Sequence, residues 1–274
     1  IAEAGVNHNG SLENAFKLVD IAAAAGVDAI KFQSFKTENL IIENVEKAPY
    51  QKKSTDTGET QFQMLKRLEL KAEQLSSIKE YCLMKGLEFL STPFDEESLS
   101  ELDLIGVNAY KVASTDLTNL PFLRQIAQRG RPILLSTGIS YFEEVVLAVR
   151  EIEKHNRQIV ILHCTANYPI RNSEVNLSVI RRLKMEFPDY LVGFSDHSEG
   201  VGASVFSIPM GAKVIEKHFT LDKALDGPDH KASLSPEELH EFVFQIRKAE
   251  EYMGDGVKIP SLAEVPVRAS LQKC

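Results

Sequence analysis

Two histidines stand where short apolar runs of the sequence end. His197 follows the run Tyr190–Ser195, and His218 lies near the end of the run Val214–Phe219. If these runs are neighbouring strands, the two imidazoles converge on one divalent metal ion. Imidazole nitrogens suit Mn, Fe, Co or Zn better than calcium, with carboxylate or water completing the site.

Lys31 and Lys111 are candidate ligands for an anion, since both lie inside apolar runs. A buried charge is costly unless it is paired or functional, so these lysines suit a phosphate or carboxylate group. The net charge of −8 would repel an anionic substrate, which must then be held by local cations. Two alternatives stay open: an internal network with Glu3 or Glu216, and a Schiff-base lysine of an aldolase.

Most other apolar runs also end in polar side chains, which an inert core would not need. Side chains alternate along a strand, so Lys31 shares a face with Gln33, and Glu216 shares one with His218. His163 is interpreted as a supporting or structural residue. A tight turn at 227–230 would project Asp229 over the same pocket. The remaining polar strand-end candidates are Glu3, Thr92, Ser114, Ser136 and Ser195.

The elements that must position these residues alternate between short apolar runs and amphipathic stretches. The predicted strands are 1–5, 27–34, 87–94, 109–114, 132–138, 159–165, 190–195 and 214–219, and the predicted helices include 12–25, 72–85, 120–129, 141–155, 177–187, 200–210 and 236–253. This pattern predicts a (β/α)8 TIM barrel over residues 1–254, in which catalytic groups come from the carboxyl ends of the strands.

Two segments break the rhythm of the barrel. Residues 35–71 are long for a βα loop, which is typical of a lid or binding loop, although Lys52, Lys53, Asp56 and Glu59 equally suit a solvated surface. Residues 255–274 contain Pro260 and Pro266 and are predicted to be a linker that leaves the barrel.

Composition excludes several other classes of protein. The hydrophobic fraction of 43% and the charged fraction of 26% are ordinary for a soluble domain, and the net charge of −8 argues against nucleic acid as a partner. No apolar run approaches the roughly 20 residues of a membrane span. Three scattered cysteines, at 82, 164 and 274, predict reduced thiols in a cytoplasmic protein. Dinucleotide, nucleotide and serine-hydrolase motifs are missing from the sequence.

Several longer motifs, taken in order, resemble those of the N-acetylneuraminate (sialic acid) synthase family. The similarity covers essentially the whole chain and rests on IAEAGVNHNGS, DAIKFQSFK, FLSTPFD, AYKVAS, ILLSTG, LHCTANYP, GFSDHS and IEKHFTLDKALDGPDHKAS. Members of that family condense phosphoenolpyruvate with N-acetylmannosamine or a related amino sugar and release phosphate. The resemblance therefore implies a TIM-barrel transferase that forms a carbon–carbon bond.

The resemblance also implies roles for individual residues. His197 and His218 would bind the metal, with Mn²⁺ expected first and Mg²⁺ or Co²⁺ as alternatives. Glu3 and Asp229 would serve proton transfer. Phosphoenolpyruvate would be held by Lys31, Lys111, Ser114 and Ser136, with Gln33, Thr92 and Ser195 lining its pocket, and the sugar would contact Tyr168, Glu216 and Asp229.

Three other functions remain as alternatives. The same reaction on 2,4-diacetamido-2,4,6-trideoxymannose would give legionaminic acid, and the motifs do not separate the two sugars. A lysine-dependent aldolase and a non-catalytic sugar-binding barrel are less favoured. The family normally adds a C-terminal antifreeze-like domain that is exchanged across a homodimer, and residues 255–274 resemble the approach to it. No nucleic-acid or membrane partner is expected.

Overall fold

Eight strands run parallel in one sheet of the computed structural model, which describes residues 1–43 and 58–273. They are β1 Ala2–Gly5, β2 Ala29–Ser34, β3 Glu88–Pro93, β4 Tyr110–Val112, β5 Ile133–Ser136, β6 Ile159–Cys164, β7 Leu191–Asp196 and β8 Ile215–His218. The order is β3-β2-β1-β8-β7-β6-β5-β4, and the end strands β3 and β4 lie against each other. The predicted TIM barrel is confirmed.

Helices surround the strands and follow them in the chain. Within the described ranges they are α1 Leu12–Ala25, α2 Thr37–Leu40, α3 Gln61–Leu68, α4 Ala72–Met84, α5 Glu96–Ile105, α6 Leu120–Gln128, α7 Phe142–Glu153, α8 Ser178–Glu186, α9 Gly202–Met210, α10 Pro236–Met253 and α11 Arg268–Leu271. The bounds of α1 match the sequence prediction because Ser11 caps its first turn and Gly26 ends it in a left-handed conformation.

The main core lies between the strands and the surrounding helices. Ile30 and Phe32 of β2 belong to this core, whereas Lys31 and Gln33 point into the barrel. The predicted alternation of side chains along β2 is thereby confirmed. Deeper in the barrel, the lumen is filled by a small apolar cluster of Ala29, Leu90, Leu134 and Leu162.

The segment between β2 and α4, predicted to be a long loop, contains helices α2 and α3 in its described part. Helix α3 begins at a capping box formed by Thr60 and Gln63, and it buries Met64 and Leu68 one turn apart. This short amphipathic pattern was missed in the sequence prediction. Of the loop residues named above, Lys52, Lys53 and Asp56 lie outside the described residues.

The last barrel helix, α10, ends at Met253, and residues 254–273 are exposed. They include a 3₁₀ turn at Val265–Val267 and the four-residue α11. In the two described ranges, no helix combines the length and the apolar character needed to cross a membrane.

Candidate active site

A cavity of about 420 Å³ lies at the carboxyl ends of the strands. Every residue predicted for the site lines it, although these residues come from all parts of the chain. They are Glu3, Lys31, Gln33, Thr92, Lys111, Ser114, Ser136, Tyr168, Ser195, His197, Glu216, His218 and Asp229. Because all eight strands are parallel, their polar ends meet at one face of the barrel.

Lys31 lies at the centre of a buried network of charges. Its Nζ is 2.7 Å from Glu3 Oε2 and 3.7 Å from Glu216 Oε2, and it donates a hydrogen bond of 3.2 Å to Thr92 Oγ1. Burial opposes protonation of this amine, but the two carboxylates outweigh it and raise the pKa of Lys31. The Lys–Glu network named as an alternative therefore exists, and it forms part of the cavity wall.

Lys111 and Ser195 hold the other side of Glu216. Lys111 Nζ donates to Ser136 Oγ at 2.6 Å and lies 3.8 Å from Glu216 Oε1, to which Ser195 Oγ donates at 2.9 Å. Burial disfavours the Glu216 carboxylate, but Lys111, Lys31 and Ser195 together lower its pKa to about 2. Glu216 therefore lies among the residues predicted for phosphoenolpyruvate, with both lysines as neighbours.

Two further carboxyl groups of the cavity titrate near neutral pH. Burial raises the pKa of Glu3 to about 7, against the opposing effect of Lys31, and Gln33 Nε2 donates to Glu3 Oε1 at 3.3 Å. Burial also raises the pKa of Asp229 to about 6, with His197 acting against it. Carboxyl groups in this range accept and return protons readily at physiological pH.

The two histidines lie side by side, with ring centroids 5.5 Å apart. His197 Nδ1 donates to the Thr165 carbonyl at 2.8 Å, which leaves Nε2, 2.9 Å from the Tyr168 hydroxyl, as the ring nitrogen that can take a proton or a metal. Burial opposes protonation of His197, but Cys164 and the Thr165 carbonyl outweigh it and raise the pKa of His197. Burial, His197 and Lys31 lower the pKa of His218 well below its usual value, which keeps it neutral.

These two imidazoles fit a divalent metal. The Thr165 carbonyl orients the His197 ring, and such a carbonyl is a usual partner of a metal-binding histidine. The buried Nδ1 of His218 has no hydrogen-bond partner within residues 1–43 and 58–273. In the same ranges, no group of three or more His, Cys, Asp or Glu side chains is arranged to hold a metal. The arrangement therefore corresponds to two protein ligands, with the other positions left to water or substrate.

Hydrogen bonds hold the loop that carries Asp229 against the loop after β1. Asn7 Nδ2 donates to the Phe219 carbonyl at 2.7 Å and to Ser233 Oγ at 2.9 Å. Ser233 Oγ in turn donates to the Asp229 carbonyl at 2.8 Å. The NHNG motif thus supports the position of Asp229.

Ser114, which lines the cavity, and His163, which does not, both make structural contacts. Ser114 lies in a 3₁₀ turn beyond β4 and accepts a hydrogen bond of 2.9 Å from the Gly138 amide. His163 does not line this cavity, because its ring stacks on Phe194 on the helix-facing side and its Nε2 contacts the Val175 carbonyl at 2.7 Å. His163 thus packs between the sheet and its helices, outside the cavity.

One wall of the cavity was missed by sequence reasoning. It is apolar and comes from helix α3 and from the residues that follow β1 and β3, namely Val6, Met64, Leu65, Leu68 and Phe94. The available signal was the pair Met64 and Leu68, whose spacing places both on one face of a helix. We call these five residues the apolar wall.

Sequence similarity relates this chain to a known protein family. Residues 18–258 match the model of the NeuB family. The N,N'-diacetyllegionaminic acid synthase of Legionella pneumophila is 44% identical, over all of this chain and 78% of its own length. The synthase of the same name from Campylobacter jejuni is 46% identical, over 96% of this chain and 80% of its own.

A solved structure shows the same fold. The N-acetylneuraminic acid (sialic acid) synthetase of Leptospira borgpetersenii, crystallised with citrate, superposes with a TM-score of 0.87 at 34% identity and covers 98% of this chain and 90% of its own. Both the family match and these identities extend over most of the sequence. This chain therefore belongs to the NeuB family.

Proposed function

We propose that this chain, an enzyme of the NeuB family, condenses phosphoenolpyruvate with the open-chain aldehyde of an N-acetylated amino sugar and releases phosphate. The observation that carries the proposal is the single cavity in which two buried lysines stand beside two neighbouring histidines. The relatives named as synthases support the same reaction class.

The lysines and hydroxyls would hold phosphoenolpyruvate. Lys31, Lys111 and Ser136 offer cationic and hydroxyl donors within one hydrogen-bonded network. Charge-assisted hydrogen bonds of this kind are the strongest that a protein gives to phosphate and carboxylate groups. Their main contribution would be to hold the enol carbon in line with the aldehyde.

The carboxyl groups would manage the protons of the reaction. C3 of phosphoenolpyruvate bonds to the aldehyde carbon, water adds to C2, and the tetrahedral intermediate loses phosphate by cleavage of its C–O bond. One proton of the water passes to the aldehyde oxygen, and the other leaves with phosphate. Glu3 and Asp229, whose pKa values lie near neutrality, are suited to carry the first proton.

We further propose Mn²⁺ as the metal, with Mg²⁺ or Co²⁺ as alternatives, bound by His197 and His218. When bound there, the metal would polarise the aldehyde oxygen of the sugar as a Lewis acid. Tyr168 would then contact the sugar beside the histidines, since its ring packs on His197 with centroids 4.0 Å apart.

We favour 2,4-diacetamido-2,4,6-trideoxymannose over N-acetylmannosamine as the sugar. Two relatives named as N,N'-diacetyllegionaminic acid synthases are 44% and 46% identical to this chain, whereas the sialic acid synthetase of known structure is 34% identical. N-acetylmannosamine, the first expectation from the motifs, is thus the second candidate.

Phosphate release tests the proposal. The chain is assayed with phosphoenolpyruvate and each sugar, with Mn²⁺ and after chelation. Metal-dependent release with at least one sugar is expected, and no release with any sugar would contradict the proposal. Borohydride trapping with pyruvate distinguishes the aldolase alternative, because only an imine at Lys31 or Lys111 becomes a stable adduct.

Homodimer formation with an exchanged C-terminal domain, and a cytoplasmic location, stay predictions. The homodimer is checked by sedimentation of a chain that includes the C-terminal domain. The cytoplasmic location is checked by fractionation of the host cell.

A further inference from the structure

The apolar wall has no part in the chemistry proposed above. Leu65 and Phe94 are half-buried and line the cavity, and Val6 is 5% exposed. Met64 and Leu68 are almost fully buried behind them and pack in a cluster with Phe35. This cluster is separate from the main core, so it covers the cavity rather than closing the barrel.

Helix α3 is held tightly in this position. Gly10, with φ +74°, lies so close to the helix that a Cβ atom on it would be 2.2 Å from the Arg67 carbonyl oxygen. Only glycine allows the backbone of α3 to approach the loop after β1 in this way. The capping box of Thr60 and Gln63 fixes the first turn of the same helix. The apolar wall is therefore a defined surface of the cavity.

The polar and apolar sides of the cavity lie over different strands. Tyr168 follows β6, His197 follows β7 and His218 ends β8, whereas Val6 and Phe94 directly follow β1 and β3. Strand β1 pairs with β8, so the apolar side begins next to the histidine side. In the proposed reaction the aldehyde lies beside the histidines. The apolar wall lines the same cavity and is then available to the far end of the sugar chain.

An apolar surface distinguishes a methyl group from a hydroxyl group. A methyl group gains free energy when it leaves water for such a surface. A hydroxyl group pressed against the same side chains loses its hydrogen bonds to water and finds no partner on them. The wall therefore favours a sugar that carries methyl groups at the end remote from the aldehyde.

We propose that the apolar wall, and Leu65 in particular, determines sugar specificity. This inference rests on the proposed function. It receives the C6 methyl group and the 4-acetamido methyl group of a deoxy diacetamido sugar, and it disfavours the hydroxymethyl group of N-acetylmannosamine. The wall is thus a specificity element, separate from the groups that bind phosphoenolpyruvate.

The test compares three sugars: N-acetylmannosamine, its 6-deoxy analogue, which differs only in one hydroxyl group, and 2,4-diacetamido-2,4,6-trideoxymannose. For the unaltered enzyme we expect kcat/KM to be about tenfold higher for the 6-deoxy analogue than for N-acetylmannosamine. The diacetamido sugar should be better still. Leu65→Gln should reduce both preferences severalfold or more, while Leu65→Met, which keeps the apolar character, should retain them.

Two further measurements separate specificity from structural damage. Leu104→Gln makes the same chemical change on α5 at a side chain that is 89% exposed, and it should leave every ratio unchanged. The KM for phosphoenolpyruvate should stay within about twofold in the Leu65 variants, since buried lysines and not the wall hold that substrate.

Specific outcomes would overturn the inference. Equal kcat/KM for N-acetylmannosamine and its 6-deoxy analogue in the unaltered enzyme is one, and a ratio that Leu65→Gln leaves unchanged is another. Absence of phosphate release with all three sugars would instead overturn the proposed function, and this inference with it.

Discussion

Glu216 and Lys217 are consecutive residues of β8, both are buried, and they point to opposite sides of the sheet. Glu216 belongs to the lumen cluster, which we define as Glu3, Lys31, Lys111 and Glu216. Lys217 faces the helices and forms the outer pair with Asp196. The lumen cluster and the outer pair thus lie on opposite sides of β8.

The outer pair is closed by its own partners. Lys217 Nζ is 2.9 Å from Asp196 Oδ2 and donates to the Ser198 carbonyl at 2.7 Å. Asp196 also accepts hydrogen bonds from Ser198, through the amide at 2.8 Å and the hydroxyl at 2.7 Å, and from the Ser204 hydroxyl at 2.5 Å. The charges of the outer pair are compensated within the protein, so the pair suits a structural role.

The lumen cluster differs because it opens onto the cavity. Both of its lysines and both of its carboxylates line the space in which a substrate would lie, beside His218, whose Nδ1 has no hydrogen-bond partner among the described residues. Burial of charge is common to the two regions and does not separate them. The adjoining cavity distinguishes the lumen cluster from the outer pair and makes it the candidate site.

The largest expected effect concerns the lumen side. His218→Ala should lower kcat/KM by about 10⁴-fold or more, about 5 kcal/mol, because it removes one of the two proposed metal ligands. Stability should change by only about 1 kcal/mol, since the lost ring borders an existing cavity. Bound Mn²⁺, measured by calorimetry, should fall in parallel, and activity that survives would show that the metal assignment is wrong.

Substitutions in the outer pair should lower the stability of the fold. Lys217→Met leaves the Asp196 carboxylate buried without its cation, which should lower the free energy of unfolding by about 3–5 kcal/mol. The double variant with Asp196→Asn should recover much of this loss. Urea denaturation measures both. A loss under about 1 kcal/mol for the single variant would contradict the structural role.

His8 is a further buried polar side chain that does not line the cavity, and its Nε2 lacks a hydrogen-bond partner among the described residues. Burial lowers its pKa to about 4. Between pH 6.5 and 4 the unfolded chain therefore binds a proton that the folded chain does not, so stability is lost as the pH falls through this window. The loss reaches at most about 3 kcal/mol.

His8→Gln should remove this part of the pH dependence. The difference in unfolding free energy between the two proteins is measured at pH 7 and at pH 5. A difference that does not change with pH would show that folding leaves the pKa of His8 unchanged.

The smallest effect is expected at Lys111. Lys111→Ala should raise the KM for phosphoenolpyruvate about 30-fold, about 2 kcal/mol, through loss of a charge-assisted hydrogen bond. The KM for the sugar should change much less. An unchanged KM for phosphoenolpyruvate would mean that the anion site lies elsewhere.

Much of the barrel and of the site was predictable because the relevant signals are local. Alternation along β2 placed Lys31 inward and Ile30 outward, and the cap at Ser11 set the start of α1. The partners of Glu216 were not predictable in this way. The resemblance assigns it to the sugar, whereas it lies between Lys31 and Lys111, and such pairings depend on how strands distant in sequence meet across the lumen.

The inward-facing residues and the motifs that end the strands follow from the sequence alone, since periodicity and capping act over a few residues. The different partners of Glu216 and Lys217 become visible only in the folded chain. The same is true of the apolar surface with which α3 covers the cavity. Both depend on sheet register and on close packing between segments far apart in the chain, for which no short stretch of sequence carries the information.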